Sequence, residues 1–517
     1  MAGQTTNTYQ LMSFKDWVPH PIRFGLYMVI LAAFQFSNGM YFTAMSQMEG
    51  ELAVSMDDVK MMSHAVLTGL TMYFPLAFRL KFCFTNRTSL MMAATGLALC
   101  NVIVPHVDEP FLLVLLGFIA GFCRLWGTFE CFSNVLLIVA PTYNYAVFLS
   151  FVFMVVLGVI HLFDAFSMQL IYYYSWQHVH ALAIGLLLGV ILIAWLFMRP
   201  FRPMPKKPLY GVDWLGGVLW SIFILSLIFI FQYGYQLEWF NSPYIRVALG
   251  AACLALAANL WRMHYTRHPF LETGAFQVRN LLNLLILFLC LGILLASKNV
   301  LLNTFTGGVM HWDAINLSRL KWVEFIGAAI GTLVSWYALA RLKTSPKLMT
   351  FIGMSLVVGY VAMMYFLLSQ QMNIEKLFLP LVLCNAGHLM LFITLTVFIQ
   401  ARAPFTVYFQ VICILGFVRT GIASPIGDAI YQHAINGLMG KHLVAIGTDL
   451  NVSLLSSLAN LNSIGTEAMV ATLRELYGYT FIFGIVVLLA IAVSRFSHTM
   501  YKRMPSLKFL YKKLGDA

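Results

Sequence analysis

The sequence predicts an all-α polytopic membrane protein with about 14 transmembrane helices. Three observations carry this. The 517 residues are 60% hydrophobic and only 10% charged, with a mean hydropathy of +0.81, far less charge than a soluble chain of this length holds. Apolar runs of roughly 20 residues recur along the whole chain, and the short alternating segments of a barrel are absent. Lys and Arg concentrate in every second loop, the pattern that places those loops in the cytoplasm.

Taken in order, the spans fall at roughly 24–44, 59–79, 88–105, 111–138, 144–169 and 178–198. Two more follow at about 213–233 and 244–263, and the last six at about 281–302, 320–341, 347–369, 377–399, 405–434 and 479–497. The basic groups Arg79, Lys81 and Arg87, then Arg199, Arg202, Lys206 and Lys207, then Arg262, Arg267 and Arg279, then Arg341, Lys343 and Lys347, and finally Lys502, Arg503, Lys508, Lys512 and Lys513, all fall on one side. An even span count keeps them there, with the N- and C-termini cytoplasmic. The first loop on the other side is acidic, with Glu49, Glu51, Asp57 and Asp58. The net charge of +12 is thus a topology signal. Basic residues dispersed over short loops argue against nucleic-acid binding. The polar start MAGQTTNTYQLMSFKDW lacks a cleavable signal pattern. Eight cysteines in or beside spans, with no CxxC pair, read as free thiols rather than metal ligands.

The linker FMRPFRPMPKKPLYGVDW, rich in Pro and Lys, separates two bundles. The expected organisation is a six-helix bundle over 1–200, a linker with two extra helices over 201–279, and a second six-helix bundle over 280–517. Within the last, 435–479 reads as an extracytoplasmic segment, and Met469, Leu473 and Leu476 are spaced as in a short amphipathic helix. The fifth and thirteenth spans echo each other in Asp164-Ala165 and Asp428-Ala429, a sign of repeated halves.

Several stretches resemble one family. GVDWLGGVLWSIFILSLIFIFQYGYQLEWFNS is similar to the Asp-led central span of EmrB/QacA-type drug–proton antiporters, the 14-span branch of the major facilitator superfamily. HPFLETGAFQVRN resembles the approach to their ninth span and GFVRTGIASPIGDAI their thirteenth. The resemblance implies a six-plus-two-plus-six major facilitator fold, export driven by a proton gradient with no other cofactor, and a bacterial inner-membrane location. It also implies a periplasmic adaptor and outer-membrane channel as partners, with 435–479 as the docking candidate. The chain departs from the pattern in places. FQFSNGMYFTAMSQ has Ser37 and Asn38 where the family carries an acidic residue. PLAFRLKFCFTNRTSL keeps the basic loop charge and loses its glycine. GFIAG retains Gly121 but places Arg124 three residues later, and GVIHLFDAFS replaces the antiporter motif of the fifth span.

A charge at the bilayer centre costs roughly 2.5–3.5 kcal/mol, and survives where it faces a bundle interior or a wet cavity. The membrane-embedded ionisable residues are Arg124, Lys298, Arg419, Glu130, Asp164, Glu324 and Asp428, with His161 and His388. Arg124 and Glu130 lie about 9 Å apart along their helix and about 120° around it, so each needs a partner elsewhere. Arg419 and Asp428 face opposite ways, about 13 Å apart. His161 and Asp164 share a face. Lys298 and Glu324 suit an ion pair between adjacent helices. Asp164, Asp428 and Glu130 are the candidate proton carriers, because desolvation and a nearby arginine push a carboxyl's proton affinity in opposite directions. Arg124, Arg419, His161, His388, Trp126 and Asn38 are the candidate substrate or cavity residues.

The expected function is a secondary transporter, not an enzyme, that exports amphipathic or hydrophobic small molecules by alternating access among membrane lipids. The alternatives are uptake on the same fold and a 14-span lipid flippase. A first span unlike the "ExxERFxYY" pattern counts against peptide uptake, and the central-span resemblance counts against a flippase. A lipid-linked glycosyltransferase would need a sizeable extracytoplasmic domain, and Asp57-Asp58 alone does not supply one.

Overall fold

The computed structural model describes residues 13–141, 144–202, 205–404, 407–449 and 458–494. It is all-helical among the described residues. Fourteen long helices run in sequence: α1 His20–Thr43, α2 Met56–Cys83, α3 Asn86–His106, α4 Pro110–Val139, α5 Tyr145–Tyr173, α6 Trp176–Phe197, α7 Trp214–Tyr233, α8 Pro243–Tyr265, α9 Leu281–Val309, α10 Ala314–Arg341, α11 Pro346–Leu367, α12 Ile374–Arg402, α13 Tyr408–Asp449 and α14 Leu458–Val493. Thirteen of them are long and apolar enough to cross a membrane, and the apolar part of α1 is the shorter Pro21–Ser37.

Caps set the starts. Ser55 and Asp58 form a reciprocal capping box at α2, and Asp213, Asp313 and Ser345 accept backbone N–H groups at the starts of α7, α10 and α11. One half is built from α1–α6, with α4 packed against α1, α2 and α3. The other is built from α9–α14, with α12 packed against α10 and α11. The α2–α4 crossing is close because it lacks side chains: a Cβ at Gly69 would fall 1.9 Å from the Phe118 carbonyl oxygen, and one at Gly121 would fall 1.8 Å from that of Val66.

Helices α7 and α8 pack on each other, and α7 sits between the halves. At its C-terminal end Gln232 donates to Asp57 at 2.7 Å and Tyr233 donates to Asp58, both on α2. Further down, Trp220 stacks on Phe417 of α13 at 5.4 Å. At the basic end of the same hairpin, Arg262 of α8 bonds Asp213 at 2.5 Å. All eight cysteines are free.

The segment 435–479 differs from the expectation. In place of a loop with a short helix, α13 continues helical to Asp449 and α14 begins at Leu458. Leu473 and Leu476 are buried, with Met469 packed beside them, in a core shared with α11 and α12. The apolar spacing was therefore that of a long span emerging from the membrane. Residues 450–457 and the basic C-terminal residues from Lys502 onward lie outside the described residues.

Candidate functional site

Four of the spans carry wide helical turns, most of them at or beside the ionisable positions. Such turns release backbone groups and recur at functional sites. They occupy Met154–Gly158 in α5, Lys298–Leu302 and Thr304–Val309 in α9, Tyr337–Arg341 in α10 and Phe417–Ala423 in α13. His161 and Asp164 follow the first, Lys298 opens the second, and Arg419 lies inside the last.

The structure gathers charges from both halves at one node. Glu324 of α10 is 2% exposed. Its Oε2 lies 3.0 Å from Lys298 Nζ of α9, 3.2 Å from Lys321 Nζ of its own helix, and 3.0 Å from His161 Nδ1 of α5, the last a close approach without hydrogen-bond geometry. His161 Nδ1 also lies 4.0 Å from Asp164 Oδ2. One imidazole nitrogen thus stands between a carboxylate of the first half and a carboxylate of the second. Lys298 also donates to Asn385 of α12 at 3.1 Å. Two ammonium groups face two carboxylates, so the node balances when His161 is neutral and Asp164 ionised. One proton added to either leaves a net positive charge.

Buried polar atoms on the same helices and on α12 lack hydrogen-bond partners in the protein: His161 Nδ1, Asp164 Oδ1, Ser167 Oγ, Thr332 Oγ1, His388 Nε2 and Thr394 Oγ1. Folded proteins pair most such atoms with protein or water. Phe392 lies beside them. Arg419 lies over its ring at 4.2 Å, His388 meets its edge at 5.0 Å, and Phe153 of the first half meets it at 5.8 Å.

The halves also touch at both ends. At the acidic end His64 of α2 is 3.7 Å from Asp428 of α13, and Phe166 of α5 meets Trp322 of α10 at 5.5 Å. At the basic end Phe409 of α13 inserts among Phe78 at 4.7 Å, Phe129 at 5.5 Å and Phe74 at 6.5 Å. The node lies between these two sets of contacts.

The remaining expected residues take other positions. Arg124 is buried inside the first half and donates to Gln35 of α1 at 2.5 Å, while Gln35 donates to Thr128 at 3.0 Å. Glu130 pairs with Lys81 at 2.5 Å near the basic end, where Asn134 donates to its carboxylate at 3.3 Å and Asn86 donates to Asn134 at 3.0 Å. This pair lies within one half, away from the node. Trp126 packs against Phe84 and Phe122, and Phe129 is the aromatic of that helix that meets the other half. Asn38 lies in α1, and its side chain is outside the described residues.

Sequence reasoning placed Lys298 and Glu324 as a helix-locking pair and missed Lys321, although its spacing of three from Glu324 was a visible signal. It placed Lys81 in a loop by ending the second span at 79, whereas α2 runs on to Cys83. Glu130→Gln is expected to lower stability by about 3 kcal/mol by stranding the buried Lys81 ammonium. The double change Glu130→Leu with Lys81→Met is expected to recover most of that loss. Thermal unfolding of the purified variants decides it, and equal melting of Glu130→Gln and wild type would remove the pair from any structural role.

No protein-family model matches the chain, and no curated protein matches it. Solved structures do match, over nearly their whole length. An auto-inhibited POT family peptide transporter superposes with a TM-score of 0.54 at 13% identity, covering 94% of this chain and 99% of that one. A peptide transporter POT in complex with sulfate gives 0.57 at 13%, covering 94% and 97%. The nucleoside transporter NupG gives 0.53 at 12%, covering 90% and 99%. At such identities the likeness is one of architecture, and this chain has the all-helical fold of the major-facilitator-type transporters.

Proposed function

We propose that this chain is a proton-coupled secondary transporter that works by alternating access. The observation that carries the reading is the Asp164–His161–Glu324 arrangement, which places titratable groups of the two halves side by side between two sets of contacts. Asp164 is the proton carrier, His161 the group that relays its charge state, and Glu324 with Lys298 and Lys321 the latch. Protonation of Asp164 or His161 unbalances the node, and an unbalanced buried charge favours the state in which water reaches it. A solute seated near Phe392 and Arg419 would exert the same influence, so solute and proton are linked through one conformational equilibrium.

The EmrB/QacA-type motifs support export of an amphipathic compound from a bacterial inner membrane. Uptake of a polar solute is the second reading. It is favoured by the charges of both signs gathered at the node and by the peptide and nucleoside transporters that share the architecture.

Proteoliposomes with an imposed pH gradient test coupling. Candidate solutes are expected to move with protons in the wild type. Asp164→Asn is expected to retain solute exchange while losing gradient-driven accumulation. Proton flux identical in both proteins would exclude Asp164 as carrier. The sign of accumulation, tested first with amphipathic cations and then with small zwitterions, separates export from uptake.

A further inference from the structure

The part of the molecule that the transport reading leaves unused is the outer end of the α11–α14 pair. A groove of about 540 Å³ opens there, lined by Tyr365 and Phe366 of α11 and by Arg474, Glu475, Tyr479 and Ile482 of α14. It is polar at one end and apolar at the other. Arg474 is exposed and level with the end of α11, where it donates to the Leu368 carbonyl at 2.6 Å. Glu475 lies beside it, held from two sides: His442 Nε2 is 2.9 Å from Oε2 and the Tyr479 hydroxyl donates to Oε1 at 2.6 Å. Ile482, 61% exposed, lies eight residues further on, about 12 Å deeper along the helix axis.

That polarity gradient runs along the helices and hence along the membrane normal. A cation and an anion sit at headgroup depth, above an apolar trough about as long as the depth of one hydrocarbon leaflet. A soluble solute has no use for the trough, and a protein segment would have to match the trough with lipid-buried side chains. We infer that this groove binds an aminophospholipid of the leaflet at the acidic end, its phosphate on Arg474 and its primary ammonium on Glu475. The His442 and Tyr479 contacts fix the Glu475 carboxylate in place, so little side-chain freedom is lost when the ammonium arrives. Aromatic Tyr365 and Tyr479 suit the interfacial depth. Phosphatidylcholine offers no N–H to Glu475, and phosphatidylglycerol brings no cation.

The test is native mass spectrometry of the full purified chain, delipidated in mild detergent. It is then given equal amounts of phosphatidylethanolamine and phosphatidylcholine with identical acyl chains. Wild type is expected to retain the former over the latter by about fivefold, as one exposed ion pair allows. Glu475→Gln is expected to bring the two to parity. Ala362→Trp, at a lining position five residues inward from the end of α11 and so at the depth of the trough, is expected to lose both, with a thermal melt like that of wild type; should that variant melt early, Ala362→Leu replaces it. Equal retention by the wild type, a preference that persists in Glu475→Gln, or a filled groove that still holds lipid would each overturn the assignment. The readout is binding, so it stands or falls separately from transport.

Discussion

Glu324→Gln is expected to abolish gradient-driven transport and to destabilise the protein by about 3–5 kcal/mol. The substitution keeps shape and removes charge. Lys298 and Lys321 then remain as two ammonium groups in a buried place, with Asn385 as the neutral partner of Lys298. His161 loses the carboxylate that connects it to the second half. Repulsion between the stranded cations favours whichever conformation lets water in, so the variant is expected to sit open more often. A second change, Lys321→Met, restores the balance of one cation to one anion and is expected to recover stability without recovering coupling. That non-additivity is the signature of a shared network. Thermal unfolding and pH-jump uptake of the single and double variants supply the measurement. A Glu324→Gln protein with wild-type melting and wild-type accumulation would show that the node is packing only.

The fold was legible because lipid imposes a simple code. Each crossing needs a long apolar run, and each basic loop marks one side, so the helix count and alternation could be read directly. The boundaries were harder where a helix outruns the bilayer. Lys81 belongs to α2, and α13 and α14 extend well past their apolar cores. The site was legible by residue type and not by partner. Arg124 and Glu130 announced themselves as charges that needed partners on other helices, and the structure supplies Gln35 and Lys81. His161 and Asp164 were paired by spacing. Nothing in one dimension could say that α5 meets α10, so the contact between His161 and Glu324, which joins the halves, was invisible. Phe409 and Gly416 were equally silent, since a phenylalanine or glycine in a span carries no mark of what crosses it.

Gly416 sets how closely the halves can approach, and Gly416→Leu is expected to hold them apart. A Cβ at this position would lie 2.3 Å from Thr71 Cγ2 and 2.8 Å from Thr71 Oγ1, so the Thr71 side chain or the helices themselves must shift, and a leucine asks for more room still. The crossing lies between the His64–Asp428 contact on one side and the Phe409 cluster on the other, so a wedge here loosens both sets of contacts together. Overpacking of this kind costs about 1–3 kcal/mol, enough to shift a two-state population by roughly fivefold to 150-fold. Spin labels at Lys60→Cys and His433→Cys, in a background with the eight native cysteines replaced, would report the separation of α2 and α13. The wild type is expected to show a dominant short distance and Gly416→Leu a longer one, with transport lost. Thr71→Ala removes the atoms that collide, and is expected to return the short distance and part of the transport rate. If Gly416→Leu leaves the distance distribution unchanged, the two helices have slack at their crossing, and the closed contacts at either end cannot be acting as linked gates.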